Sequence, residues 1–202
     1  MPSRNAEGGP WRPTRDQLEA AQGKAIDDVI APGLDVLFSG INPGLYSGAV
    51  GHHFARPGNR FWKALHLAGF TPEVLSPFDD RRLLDLGLGI TNLVGRTTRS
   101  ANELTTEELR EGAGHLERTV RRCGPRFLAF LGMSTYRTAF QRPKAALGRQ
   151  QESIGATPIW LLPNPSGAQA RYQLPDLVAA FAQLREASRT SSRTADTGSK
   201  GY

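Results

Sequence analysis

At 202 residues with a formal charge of +6, the chain is sized for one domain with an enzyme-sized core, and its basic balance favours an anionic partner over a small neutral ligand. Its single cysteine, Cys123, excludes an intrachain disulfide framework, a four-cysteine zinc site and a four-cysteine iron–sulfur cluster. No apolar run is long enough to span a bilayer, and the polar N-terminus lacks the apolar centre of a secretion signal, so a cytosolic protein without a membrane partner is expected.

Residues 1–13 and 187–202 are rich in Ser, Thr, Gly, Pro and Arg without hydrophobic periodicity; they read as poorly ordered tails around a domain at 14–186. Thr14 and Gln17 form a capping box for a short first helix ending near Gly23. The run Leu34 to Ser39 predicts the first strand, and a long glycine-rich loop follows it. Asn59 then caps a helix from Arg60 to about Ala68, closed by Gly69. A polar helix around Asp79 to Asp85 precedes a second strand, Gly89 to Val94. Thr105 and Glu108 make another capping box, with Leu109, Ala113, Leu116 and Val120 on one helical face. The third strand is Arg126 to Leu131, followed by a loop and helix to about Phe140. The fourth strand is Pro158 to Leu162, and Pro175 opens a last helix burying Leu177, Val178, Phe181 and Leu184. Strands alternating with helices predict an α/β fold whose parallel strands are covered on both faces.

Two of these strands stop at Asn-Pro turns, Gly40-Ile41-Asn42-Pro43-Gly44 and Asn164-Pro165-Ser166-Gly167. Pro fixes φ and Gly permits positive φ, so each strand opens into a tight polar turn. In parallel sheets ligands bind at the carboxyl edge, which places both turns at one site. Phosphate-loop and dinucleotide-binding spacings are absent, as are metalloprotease and serine-hydrolase motifs. His52 and His53 are adjacent, point opposite ways if extended and make a poor chelate, so no metal is expected. The loop from His52 to Trp62 interleaves aromatic residues with Arg56 and Arg60, which suits stacking a base beside a phosphate.

Taken together, the Gly40-to-Leu45 turn, the Gly51-His52-His53-Phe54 loop, Pro57 to Lys63, Thr91-Asn92-Leu93-Val94, Arg110-Glu111-Gly112 and the Asn164-to-Gly167 turn resemble the mismatch-specific uracil/thymine-DNA glycosylase family over roughly residues 30 to 185. The resemblance implies the uracil-DNA-glycosylase fold, a three-layer α/β/α sandwich on a four-stranded parallel sheet. It also implies a monomer without cofactor that acts on double-stranded DNA containing a mismatched or damaged pyrimidine, in base excision repair. Asn42 matches the catalytic asparagine that holds water against C1′, and Phe54 the aromatic on which the flipped base stacks. Gly40, Ile41, Ser47, His53 and Asn92 are the accompanying base-site candidates. The second turn matches the loop that fills the gap left by the base. Its DNA-contacting candidates are Asn164, Pro165, Ser166, Gly167, Ala168, Gln169 and Arg171, with Arg60 and Arg171 expected at phosphates.

The small Ala168 stands where relatives often carry a bulky wedge. The fast uracil glycosylases carry a carboxylate in the first turn and a His-Pro-Ser second turn, both missing here. A single-strand-selective type of uracil glycosylase and a non-catalytic lesion-binding module are the alternatives left open.

Overall fold

Among the described residues five strands form one sheet: β1 (Val36–Gly40), β2 (Leu88–Asn92), β3 (Phe127–Leu131), β4 (Gly148–Ile154) and β5 (Thr157–Leu162), in the order β2-β1-β3-β5-β4. The computed structural model describes residues 12–169 and 171–196. Of the expected tails at 1–13 and 187–202, residues 1–11 and 197–202 lie outside the described residues. β2, β1, β3 and β5 are parallel and correspond to the four apolar runs. The expected four-stranded sheet is corrected by β4, which pairs antiparallel with β5 across a turn at Gly155 and Ala156. β4 alternates partly buried and exposed residues, the pattern of a strand with one solvated face.

Among the described residues there are six α-helices: α1 (Arg15–Glu19), α2 (Leu45–Val50), α3 (Phe61–Leu67), α4 (Thr106–Cys123), α5 (Met133–Ala139) and α6 (Leu174–Asp196). The polar helix expected near Asp79 is a 3-10 segment, Pro77–Leu86. Both capping boxes form as the sequence predicts, Thr14 with Gln17 and Thr105 with Glu108. α2 falls in what reads from sequence as loop. α6 continues to Asp196, past the boundary at 186; Ser188 and Thr190 bond back to the carbonyls of Arg185 and Glu186, and no Gly or Pro interrupts the helix before Gly198.

Period-two alternation sends β1 and β3 side chains to opposite faces and so builds two cores. On one face Val36, Phe38, Phe127, Ala129 and Leu131 pack with Phe61, Trp62 and Leu65 of α3 and Leu177, Phe181 and Leu184 of α6. On the other, Leu37, Leu128 and Phe130 pack with Leu116 and Val120 of α4 and Tyr136 of α5. Phe38 is fully buried and meets Phe61, Phe70 and Phe181 at centroid distances of 5.5, 5.6 and 5.8 Å. Truncating a Phe so placed costs about 3–5 kcal/mol. The sheet's edges differ: β2 is flanked by the main chain of Val29, bonded both ways to Ile90, whereas β4 carries an irregularity between Arg149 and Ser153.

Candidate active site

A cleft of about 390 Å³ opens at the carboxyl ends of the parallel strands. The two Asn-Pro turns meet there, since Asn42, Pro43, Gly44, Asn164 and Ser166 all line it. Gly40, Ile41, Ser47, His53, Phe54, Asn92, Ala168 and Gln169 join them. Pro165, Gly167, Arg60 and Arg171 do not.

Asn42 is held by its nitrogen. Nδ2 donates to the carbonyls of Arg96 at 3.0 Å and Pro43 at 3.3 Å, and to Thr98 Oγ1 at 2.7 Å. Two of these partners are pure acceptors, which fixes the amide with its NH2 end inward. Thr98 Oγ1 spends its own proton on the carbonyl of Ser100, 2.8 Å away, and so has lone pairs to receive Nδ2. The free end of the side chain is therefore Oδ1, an acceptor at the cleft. The 96–98 segment is anchored in turn. Thr98 bonds the Pro43 carbonyl through its N–H, and the Arg96 guanidinium grips both carboxylate oxygens of Glu108. That grip holds the Glu108 carboxyl well below the usual carboxylate range, at about 2.

Phe54 stacks on Phe61 of α3 with ring centroids 4.2 Å apart and an interplanar angle of 25°. Its φ of 53° is left-handed, a conformation uncommon for a non-glycine residue and held here by the surrounding packing. A Cβ at Gly40 would lie 2.6 Å from Asn92 Oδ1 and 3.2 Å from the Phe54 ring, so only glycine lets these groups converge on the strand end. The main-chain N–H groups of Ile41 and Phe54 donate to no described residue. They are two unspent donors beside the aromatic platform.

His53 and Asn92 act as a pair. His53 is buried, which pushes its pKa down and favours the neutral ring. Its Nε2–H donates to the carbonyl of Asp27 at 3.0 Å, leaving Nδ1 to accept from Asn92 Nδ2 at 3.2 Å. Asn92 consequently turns Oδ1 toward Gly40. Both nitrogens of His53 are thus engaged, and its ring orients Asn92. His52 goes elsewhere, to Asp80 at 3.0 Å. Ser47 lines the cleft and receives the N–H of Ala55 at 3.2 Å, tying α2 to the Phe54 loop.

Arg60 departs from expectation. It was expected at phosphate, but its guanidinium donates to the carbonyls of Pro165, Ser166, Gln169 and Tyr172 at 2.5–3.2 Å. The main-chain N–H of Arg60 also bonds Pro165. A planar fork with five donors matches a ring of carbonyls, and this one clamps the second turn from inside. Asn164 closes that turn by accepting the N–H of Ser166, and Gly167 passes so near the Gly58 carbonyl that a Cβ would lie 2.8 Å from it. Arg171 sits 5.5 Å over the ring of Tyr172. Ala168 and Gln169 line the cleft along with Asn164 and Ser166 of the turn.

Sequence reasoning missed Arg96, Thr98 and the cleft-lining Arg99, because their relation to Asn42 arises from tertiary placement of the loop after β2. The one local hint is the Thr97-Thr98 pair following a strand.

An acceptor-bearing asparagine, an aromatic ring and unspent main-chain donors meet in one cleft at the carboxyl edge of this α/β/α sandwich. The chain matches the uracil DNA glycosylase superfamily over residues 28–186 and belongs to that family. Its fold is also similar to the solution NMR structure of a candidate uracil DNA glycosylase from Methanosarcina acetivorans. That similarity has a TM-score of 0.54 at 19% identity, covering 81% of this chain and 98% of the other.

Proposed function

We propose that the protein is a monofunctional DNA glycosylase that hydrolyses the N-glycosidic bond of a flipped-out uracil, or a related damaged pyrimidine, and leaves an abasic site. The observation that carries this reading is the tethered amide of Asn42, whose only free hydrogen-bonding end is an acceptor at the cleft. Such a group orients a water molecule toward C1′ but cannot take its proton as a carboxylate does. The base therefore has to leave with little help from the nucleophile. Its departing anion is met by the N–H groups of Ile41 and Phe54, donors already in place where charge develops. Asn92 Oδ1 offers an acceptor to the N3–H of uracil or thymine, whereas cytosine presents a lone pair there.

The target base must leave the stack to reach this cleft. Ala168 and Gln169 are the residues facing the gap, and a wedge as short as Ala168 replaces little stacking. We accordingly assign a preference for weakly paired targets, uracil opposite guanine before uracil opposite adenine, on double-stranded DNA. Among the described residues no lysine lines the cleft, and we expect no Schiff base and no lyase step.

The test is single-turnover base release from a uracil·guanine duplex, read as alkali-labile strands. Asn42→Ala is expected to lose most release and to keep DNA binding. Near-normal release by that variant, or an enzyme–DNA adduct trapped by borohydride, overturns the mechanism; a wild-type protein that binds the duplex without generating alkali-labile sites overturns the activity.

A further inference from the structure

Charge on the described lining of the cleft is confined to two side chains. Among its described lining residues Arg56 and Arg99 alone are formally charged; no Asp, Glu or Lys contributes. Both are exposed, and neither forms a hydrogen bond through its guanidinium or an ion pair with the described residues. Their neighbours are otherwise: Arg96 is spent on Glu108, and Arg60 on four carbonyls. Arginines that fold into local pairs and arginines left facing a cleft are thus separated within a few residues of one another.

Their positions in the chain are also distinct. Arg99 follows Thr98, the residue that receives the Asn42 amide. Arg56 stands two residues beyond Phe54, the stacking platform, in a loop tied down by the bond from Asn59 N–H to the Arg56 carbonyl. The backbone of Arg56 is fixed while its guanidinium is free. One cation accordingly adjoins in the chain the residue that tethers Asn42, and the other shares the loop that carries Phe54, and both line the cleft.

We infer that Arg56 and Arg99 hold the two phosphodiesters flanking the extruded nucleotide, one on each side. This assignment rests on the glycosylase reading and replaces Arg60 as the phosphate-contacting residue. Phosphate contacts fix register and orientation on DNA without reading sequence, and a guanidinium suits that geometry better than an ammonium. A cleft otherwise lined by neutral groups needs such anchors: base stacking and two main-chain donors locate the pyrimidine but leave the sugar free to swing.

The experiment measures Kd for a uracil-containing duplex against salt concentration with wild type, Arg56→Gln, Arg99→Gln and the double variant, together with single-turnover release by wild type. Each lost phosphate contact lowers the log–log salt slope by about 0.9 and weakens binding roughly eightfold near 0.1 M salt. A duplex carrying one neutral methylphosphonate, placed 5′ or 3′ to the uracil, then assigns each side. Wild type loses affinity on each modified duplex, and each arginine variant becomes insensitive to one of the two substitutions. Slopes unchanged in the double variant, or variants that remain fully sensitive to both methylphosphonates, overturn the assignment. The two readings fail separately: reduced slopes with no release by wild type keep the clamp and remove the glycosylase, and unchanged slopes with normal release do the reverse.

Discussion

Replacing Asn42 by aspartate is the substitution that a general-base view of this site recommends and that the geometry argues against. Nδ2 donates to two carbonyls and one hydroxyl that is itself committed. A carboxylate oxygen placed there meets acceptors instead of donating to them. Two unmet partners at about 1–3 kcal/mol each put the loss near 3 kcal/mol, or roughly 6–12 °C in Tm for a chain of this size. The sign with pH follows from linkage: the protonated acid restores one donor, so the folded state raises the carboxyl's pKa above its unfolded value. The variant's deficit is then smallest below about pH 4 and grows as pH rises through the folded pKa. Scanning calorimetry between about pH 4 and pH 8 measures this directly, and single-turnover release at neutral pH shows whether rate is gained. We expect lower Tm and no faster release. A variant with wild-type Tm and a higher rate refutes the claim that the amide is held through its nitrogen.

Gly40→Ala drives a methyl group into Asn92 Oδ1 and the Phe54 ring; base release is expected to fall at least tenfold while nonspecific DNA binding persists, and equal release argues against convergence of those groups on the base. Arg60→Gln removes a guanidinium from four carbonyls of the second turn. Because water can reach part of that turn, the expected cost is about 2 kcal/mol, with faster proteolysis between residues 164 and 172 and an undiminished salt slope of DNA binding. A slope lowered by about one unit instead returns Arg60 to phosphate duty. Burial lowers the pKa of His53, so the unfolded chain takes up the proton first; stability is complete above the unfolded value of about 6.5 and declines as pH falls below it. His53→Gln flattens that decline, and an unaltered pH profile of Tm removes the neutral-ring assignment.

β1 and β3 were the most legible strands because every residue in them is buried, and β3 reads as a continuous apolar run. β4 was not: Arg149, Gln150, Gln151 and Glu152 resemble a surface loop, and their strand conformation comes from pairing with β5. α2 has six residues with Gly48 within it and Gly51 at its end, too short and too permissive to show a helical period. The C-terminal helix was cut short for the opposite reason, its Ser and Thr hydroxyls having found carbonyls one turn back. At the site, Asn42 and Phe54 stood out through strand-ending turns and a resemblance to known glycosylases. The carbonyl partners of Arg60 were not legible, because a basic residue in an aromatic loop reads as a surface cation; only the folded chain shows the carbonyls of a segment about a hundred residues away gathered around it.

The unlike borders of the sheet bear on the protein's behaviour at high concentration. A parallel sheet ending in bare main-chain groups invites another chain to add to it. Here the Val29 main chain already occupies part of β2's outer edge, and β4 presents an irregular, polar-faced strand at the other. Edge-to-edge aggregation is thereby obstructed at both ends, so the molecule can expose a basic, open cleft without offering a template for its own polymerisation.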